Sequence, residues 1–113
     1  MPHVSIEFSK GLEQTNDIKS VCDQVFAALA DQDTFDAQTI KVRATSVEFF
    51  CIGSEPQTFV HATLLLMEGR DELTRAHLNK TILEVLSNAL PNVGSITVKD
   101  FEMTRATYVG RVL

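Results

Sequence analysis

The sequence predicts an α+β fold in which a β-α-β unit occurs twice, giving one four-stranded mixed sheet with two helices packed on one face. Three observations predict it. Short segments in which apolar and polar residues alternate, as in strands covered on one side, are separated by two longer segments whose apolar residues recur at helical spacing. Each half reads strand, helix, strand. The halves also echo one another, His3 with His61 and Ile40-Lys41-Val42 with Ile96-Thr97-Val98, at offsets of about 56 to 58 residues.

The first strand is expected over Pro2 to Phe8, with Val4, Ile6 and Phe8 on one face and His3, Ser5 and Glu7 on the other. From Ile18, the residues Val21, Cys22, Val25, Phe26 and Leu29 fall on one helix face, with Thr15 or Asn16 available as N-cap. After the polar stretch 31–36, alternation returns over Thr39 to Ile52. It sets Ile40, Val42 and Ala44 against Lys41, Arg43 and Thr45, so the second strand shows two cations on one face.

Gly53 to Gln57 is a connector, and Thr58 to Met67 has the β-branched and apolar content of a well-buried third strand. Glu68-Gly69-Arg70-Asp71 breaks it. The second helix then runs over Glu72 to Leu90, with Leu78, Ile82, Val85, Leu86 and Ala89 at helical spacing until Pro91 stops it. Ser95 to Met103 alternates as the fourth strand, and Thr107 to Val112 forms a short strand or an arm around Gly110.

Strand-helix-strand order makes each pair of strands parallel, with a right-handed crossover, and sets both helices on the same side. The other side carries His3, Ser5, Lys41, Arg43, Thr45, Thr97 and Lys99. That mixture is too polar for a second core but usable against other subunits, so an oligomer is expected. The 113 residues fit one domain spanning 1–113, with pseudo-repeats at about 2–53 and 58–112.

Fifteen acidic against ten basic residues, a net charge of −5 and a pI near 5.0 argue against a nucleic-acid partner. No apolar stretch approaches the roughly 20 residues that cross a bilayer, and no basic-then-apolar leader opens the chain. A cytoplasmic protein without a membrane partner is expected. Cys22 and Cys51 lie far apart within apolar patterns and read as buried free thiols. His3 and His61 read as hydrogen-bonded residues rather than ligands, since no third ligand stands at metal spacing; no metal is expected.

A chain that opens Met1-Pro2-His3, enters a strand at once and repeats a β-α-β unit resembles the tautomerase superfamily over nearly its whole length. Several stretches are similar to its 5-carboxymethyl-2-hydroxymuconate isomerase branch: Met1-Pro2-His3 with Glu7, Ile40-Lys41-Val42-Arg43, Phe59-Val60-His61 and Gly69-Arg70. The segment Glu68 to Glu72 also looks like the short tautomerases, which carry an arginine after the first strand; Arg70 takes that place. One departure is Lys41, where the isomerase pattern has arginine directly after the isoleucine. Lysine offers no planar fork, so carboxylate recognition there weakens or passes to Arg43, two residues along the same face. The C-terminal tail is also shorter than the isomerase pattern, in a region that helps to build the family's pocket.

The resemblance implies a cofactor-free keto-enol tautomerisation in aromatic-compound catabolism, by the homoprotocatechuate route, and a homotrimer. Pro2 is implied as the catalytic residue. Once Met1 is removed, as is normal ahead of so small a residue, Pro2 is a secondary amine. A free α-amino group has a reference pKa of roughly 8, and desolvation and nearby cations both favour its neutral, basic form. It takes a proton from a 2-hydroxydienoate oxygen and returns it to carbon. The substrate is a small anionic di- or tricarboxylate, for which Arg70 and Arg43 are the leading binding candidates, followed by Lys41, with His3 and Phe50 as further candidates.

Other readings fit the same residues. Many chains begin Met-Pro; Lys41 and Arg43 also suit a solvated face or intersubunit ion pairs, and Arg70 an ordinary turn. Phe49, Phe50 and Phe101 suit a core or an interface. The alternative function is a non-catalytic oligomeric binding or scaffold protein that retains the fold; a third is tautomerase or dehalogenase chemistry on another acid.

Overall fold

Four strands of the expected kind are present in the computed structural model, which describes residues 2–113. They are β1 (His3–Ser9), β2 (Lys41–Val47), β3 (Phe59–Met67) and β4 (Ser95–Met103), in the order β2-β1-β3-β4. The two central strands run antiparallel and each outer pair is parallel, as two right-handed β-α-β units side by side require. His3 pairs with Lys41 in one half and His61 with Thr97 in the other.

Three α-helices lie among the described residues: a single turn α1 (Leu12–Thr15), α2 (Ile18–Ala30) and α3 (Glu72–Ala89). The long helices bury Val21, Val25 and Leu29, and Leu78, Ile82 and Leu86, against Val4, Ile6, Phe8, Val60, Ala62, Leu64 and Leu66 of the sheet. A fully buried Leu contributes about 1.5–3 kcal/mol over an exposed one, so this seam holds the layers together. The opposite face of the sheet carries the polar set expected there, half-buried or exposed.

Three of the boundaries that differ from those predicted have a local structural cause. The cap of α2 is Asp17, whose carboxylate accepts from Ser20 N at 3.1 Å; Thr15 and Asn16 are taken by α1 and its end. Replacing Asp17 with alanine is expected to cost about 1 kcal/mol, read as a lower urea midpoint with unchanged slope. Strand β2 begins at Lys41 because Asp36 accepts from Gln38 N and winds Ala37–Thr39 into a 3-10 turn. It ends at Val47 because its partner β1 ends at Ser9, which lies opposite Val47. Cys51 therefore falls in a loop and is exposed rather than buried, whereas Cys22 on α2 is partly buried. Phe49 and Phe101 lie outside the core, 87% and 52% exposed in the single chain.

Beyond β4 the chain makes a 3-10 turn, Arg105–Thr107, and continues as an arm rather than a strand. The turn is anchored where Arg105 N donates to Glu68 Oε2 at 2.7 Å. No helix among the described residues is long and apolar enough to cross a membrane.

Candidate active site

Pro2 lies just ahead of β1, one of the two central strands, and is fully buried. Its carbonyl accepts from Lys41 N at 3.0 Å, which fixes the backbone at the strand's start. Met1, whose removal would free the Pro2 amine, lies outside the described residues.

Alternation along β1 and β2 turns His3, Lys41 and Arg43 to the open face of the sheet. Arg43 Nη1 is 3.2 Å from His3 Nδ1, and His3 Nε2 is 2.8 Å from the hydroxyl of Tyr108 on the C-terminal arm. Partial burial lowers the His3 pKa below the ordinary histidine value, and the charges of Arg43 and Lys41 lower it further, favouring a neutral ring. The Lys41 ammonium donates to Thr39 O at 3.1 Å.

Arg70 follows β3 at the same end of the sheet. A left-handed Gly69 (φ 116°) turns the chain there, a conformation that favours glycine. The Arg70 guanidinium donates to Met67 O at 3.1 Å and to Thr34 O at 3.4 Å, and lies over the Phe35 ring at 5.0 Å. It thus ties the turn after β3 to the loop between α2 and β2.

Phe50 is not part of this group. It packs edge-on against Phe59 at the start of β3, 5.0 Å between ring centres, whereas His3 pairs with Leu65 near the end of that strand. At about 3.3 Å per residue, Phe59 and Leu65 are roughly 20 Å apart. Pro2, His3, Lys41, Arg43 and Arg70 therefore gather at one end of the sheet, with Phe50 at the other.

A second polar group sits on the helix side, where Asp100, 4% exposed, meets Arg75 and Asn79 of α3. Neither Tyr108 nor this cluster stood out in the sequence. The signal for Asp100 was present, because it shares strand parity with Ile96 and Val98 and so had to face inward. Tyr108, the sole tyrosine, lies in a segment without periodicity. His61 is hydrogen-bonded, its Nδ1 2.7 Å from Thr97 Oγ1, as expected. Among the described residues no group of three or more His, Cys, Asp or Glu could hold a metal ion.

Residues 2–102 match the family model of 5-carboxymethyl-2-hydroxymuconate isomerase. The chain belongs to this isomerase family. Solved structures show the same tautomerase fold at low sequence identity. A 5-carboxymethyl-2-hydroxymuconate isomerase from Deinococcus radiodurans R1 is 22% identical with a TM-score of 0.78, covering 97% of this chain and 88% of that one. A 5-carboxymethyl-2-hydroxymuconate delta-isomerase is 20% identical with a TM-score of 0.80, covering 99% and 88%. A wild-type fused 4-OT symmetric trimer is 13% identical with a TM-score of 0.72, covering 96% and 93%. No curated protein matches the chain. Family membership makes the protein an isomerase, and the solved structures show that it has the tautomerase fold.

Proposed function

We propose that this isomerase converts 5-carboxymethyl-2-hydroxymuconate, or a related 2-hydroxydienoate, to its 2-oxo isomer, with Pro2 as general acid and base and no cofactor. The observation that carries this reading is Pro2, buried at the head of a central strand, with His3, Lys41, Arg43 and Arg70 gathered at the same end of the sheet.

In the proposed reaction the neutral Pro2 nitrogen takes the 2-hydroxyl proton. The oxygen's electron pair becomes the carbonyl bond, the double bonds shift along the chain, and the terminal carbon of that shift takes the proton back from the prolinium. Base and acid are the same group, and no atom is gained or lost. Burial withholds solvation from the ammonium form and nearby cations repel it, so the free amine is favoured. Cations also attract the substrate carboxylates and stabilise the charge that grows on the 2-oxygen. Arg43 takes the main part in carboxylate binding, because its fork suits a carboxylate and Lys41 has none.

The reading includes a homotrimer acting in the cytoplasm in the breakdown of an aromatic compound. Support for the trimer comes from the polar sheet face without a second layer, the exposed Phe49 and Phe101, and the similarity to a trimeric 4-OT. Phe50, at the far end of the sheet, would join the site only from a neighbouring protomer.

The test is loss of the dienol ultraviolet band of 5-carboxymethyl-2-hydroxymuconate, with protein shown by mass to begin at Pro2 and a Pro2→Ala variant in parallel. Rapid loss that collapses in the variant is expected. Turnover no faster than in solvent would remove this assignment and leave another 2-hydroxydienoate or a non-catalytic binding role.

A further inference from the structure

We infer that Tyr108 is a positioning residue of this site, its hydroxyl acting through His3 to hold the Arg43 guanidinium where a substrate carboxylate is received. The inference rests on the reading above, in which Arg43 binds the anionic substrate.

The chain of contacts has only one consistent arrangement of protons. A guanidinium can donate but not accept, so at 3.2 Å from Arg43 Nη1 the His3 Nδ1 must be the acceptor. The ring proton then sits on Nε2, which donates to the Tyr108 oxygen 2.8 Å away. The phenol ring also stands edge-on to the imidazole, at 71° and 5.8 Å between centres, which fixes the imidazole plane. A doubly protonated His3 would turn an N–H toward the guanidinium and break the chain.

The groups facing His3 favour the neutral ring. From β2 these are Lys41 and Arg43, both cationic; its partner on β3 is the uncharged Leu65; the arm supplies Tyr108. Burial and the two cations lower the pKa of His3, so the arrangement persists at neutral pH.

Positioning matters because Arg43 lies on an edge strand, exposed in the single chain, and its long side chain has many rotamers when nothing holds it. An unrestrained guanidinium must be ordered when substrate binds, and that ordering subtracts from affinity. His3 removes part of this cost, and Tyr108 holds His3. The arm in turn is fixed by the contact of Arg105 N with Glu68. The arm thus reaches the site through a relay of side chains.

The experiment compares Tyr108→Phe, His3→Ala and His3→Gln with wild type by steady-state kinetics, with light scattering to follow assembly. Tyr108→Phe is expected to raise KM about three- to tenfold, as loss of one neutral hydrogen bond allows. Its kcat should change by less than about twofold, because uniform binding is what is lost. His3→Gln, which keeps one acceptor and one donor, should recover part of the affinity that His3→Ala loses. In nitrogen-15 spectra of wild type at neutral pH, the His3 proton is expected on Nε2.

An unchanged KM in Tyr108→Phe, a proton on Nδ1, or a loss of assembly that lowers kcat alone would overturn the inference while leaving the isomerase reading intact. Failure of wild type to ketonise the substrate, by contrast, defeats that reading, and the inference falls with it.

Discussion

Replacing Pro2 with alanine is expected to lower kcat/KM for 5-carboxymethyl-2-hydroxymuconate by about 10²-fold, and protein that retains Met1 is expected to lose roughly 10²–10⁴-fold, the span of a positioned general base. The two differ for a physical reason. Alanine still presents an amine after removal of Met1, but a primary one on a freely rotating backbone, without the ring that is buried at the head of β1. Retained methionine makes the Pro2 nitrogen an amide, which has no basic lone pair. Both losses should fall on kcat, because the proton transfer belongs to the transition state and not to ground-state binding. Measuring both forms, each with its mass verified, separates the chemistry of the amine from the packing of the ring. Equal activity in all three forms would move the base elsewhere in the site.

Where an element's own periodicity decides it, the sequence was sufficient. The fourth strand was legible as Ser95 to Met103, the observed span of β4, because Ile96 and Val98 alternate with Thr97 and Lys99 and Pro91 and Gly94 precede it. The helix that begins at Glu72 was legible to within one residue, since helical spacing and a proline stop agree, and Asp71 caps it in the structure. Strand two was overread to Ile52 because the apolar, β-prone run Phe49 to Ile52 follows Val47 before any glycine or proline, whereas a strand ends where its partner ends, and Ser9 is remote in sequence. The same limit applies to the site. Strand parity alone places His3 and Arg43 on one face, but their contact requires the register of β1 on β2, and the contribution of Tyr108 requires the path of the arm. Arg70 was legible as the residue after the turn, but not its bonds to Met67 O and Thr34 O, which join segments far apart in the chain.

The second large effect is expected away from the site, at the pair that fastens α3 to β4. Asp100 is 4% exposed and accepts from Arg75 Nη1 at 3.0 Å and Asn79 Nδ2 at 2.8 Å, with Lys99 Nζ 3.5 Å away. Burial by itself pushes its pKa up, but the hydrogen bonds from Asn79 and Arg75 and the charge of Lys99 outweigh burial and hold the carboxyl below its usual value. Arg75→Met would leave that carboxylate buried and underpaired. Breaking a fully buried pair costs about 3–5 kcal/mol; because the Arg75 side chain is 27% exposed, solvent screens part of it, and about 2–3 kcal/mol is expected. Adding Asp100→Leu should restore most of the loss, since an apolar pair removes the stranded charge.

The pH dependence gives an independent check. A folded-state pKa below the unfolded value means that the contribution of Asp100 is present above the unfolded pKa of about 3.9 and is lost as pH falls through the folded value. In Arg75→Met the carboxyl loses a stabilising cation and protonates at higher pH, which relieves the penalty. The gap between wild type and variant should therefore be widest near neutrality and narrow below about pH 4. Urea midpoints at pH 7 and pH 3, taken at one protomer concentration so that assembly does not confound them, would measure it. A gap that does not change with pH would show that Arg75 acts by packing its stem on β4 and not by its charge.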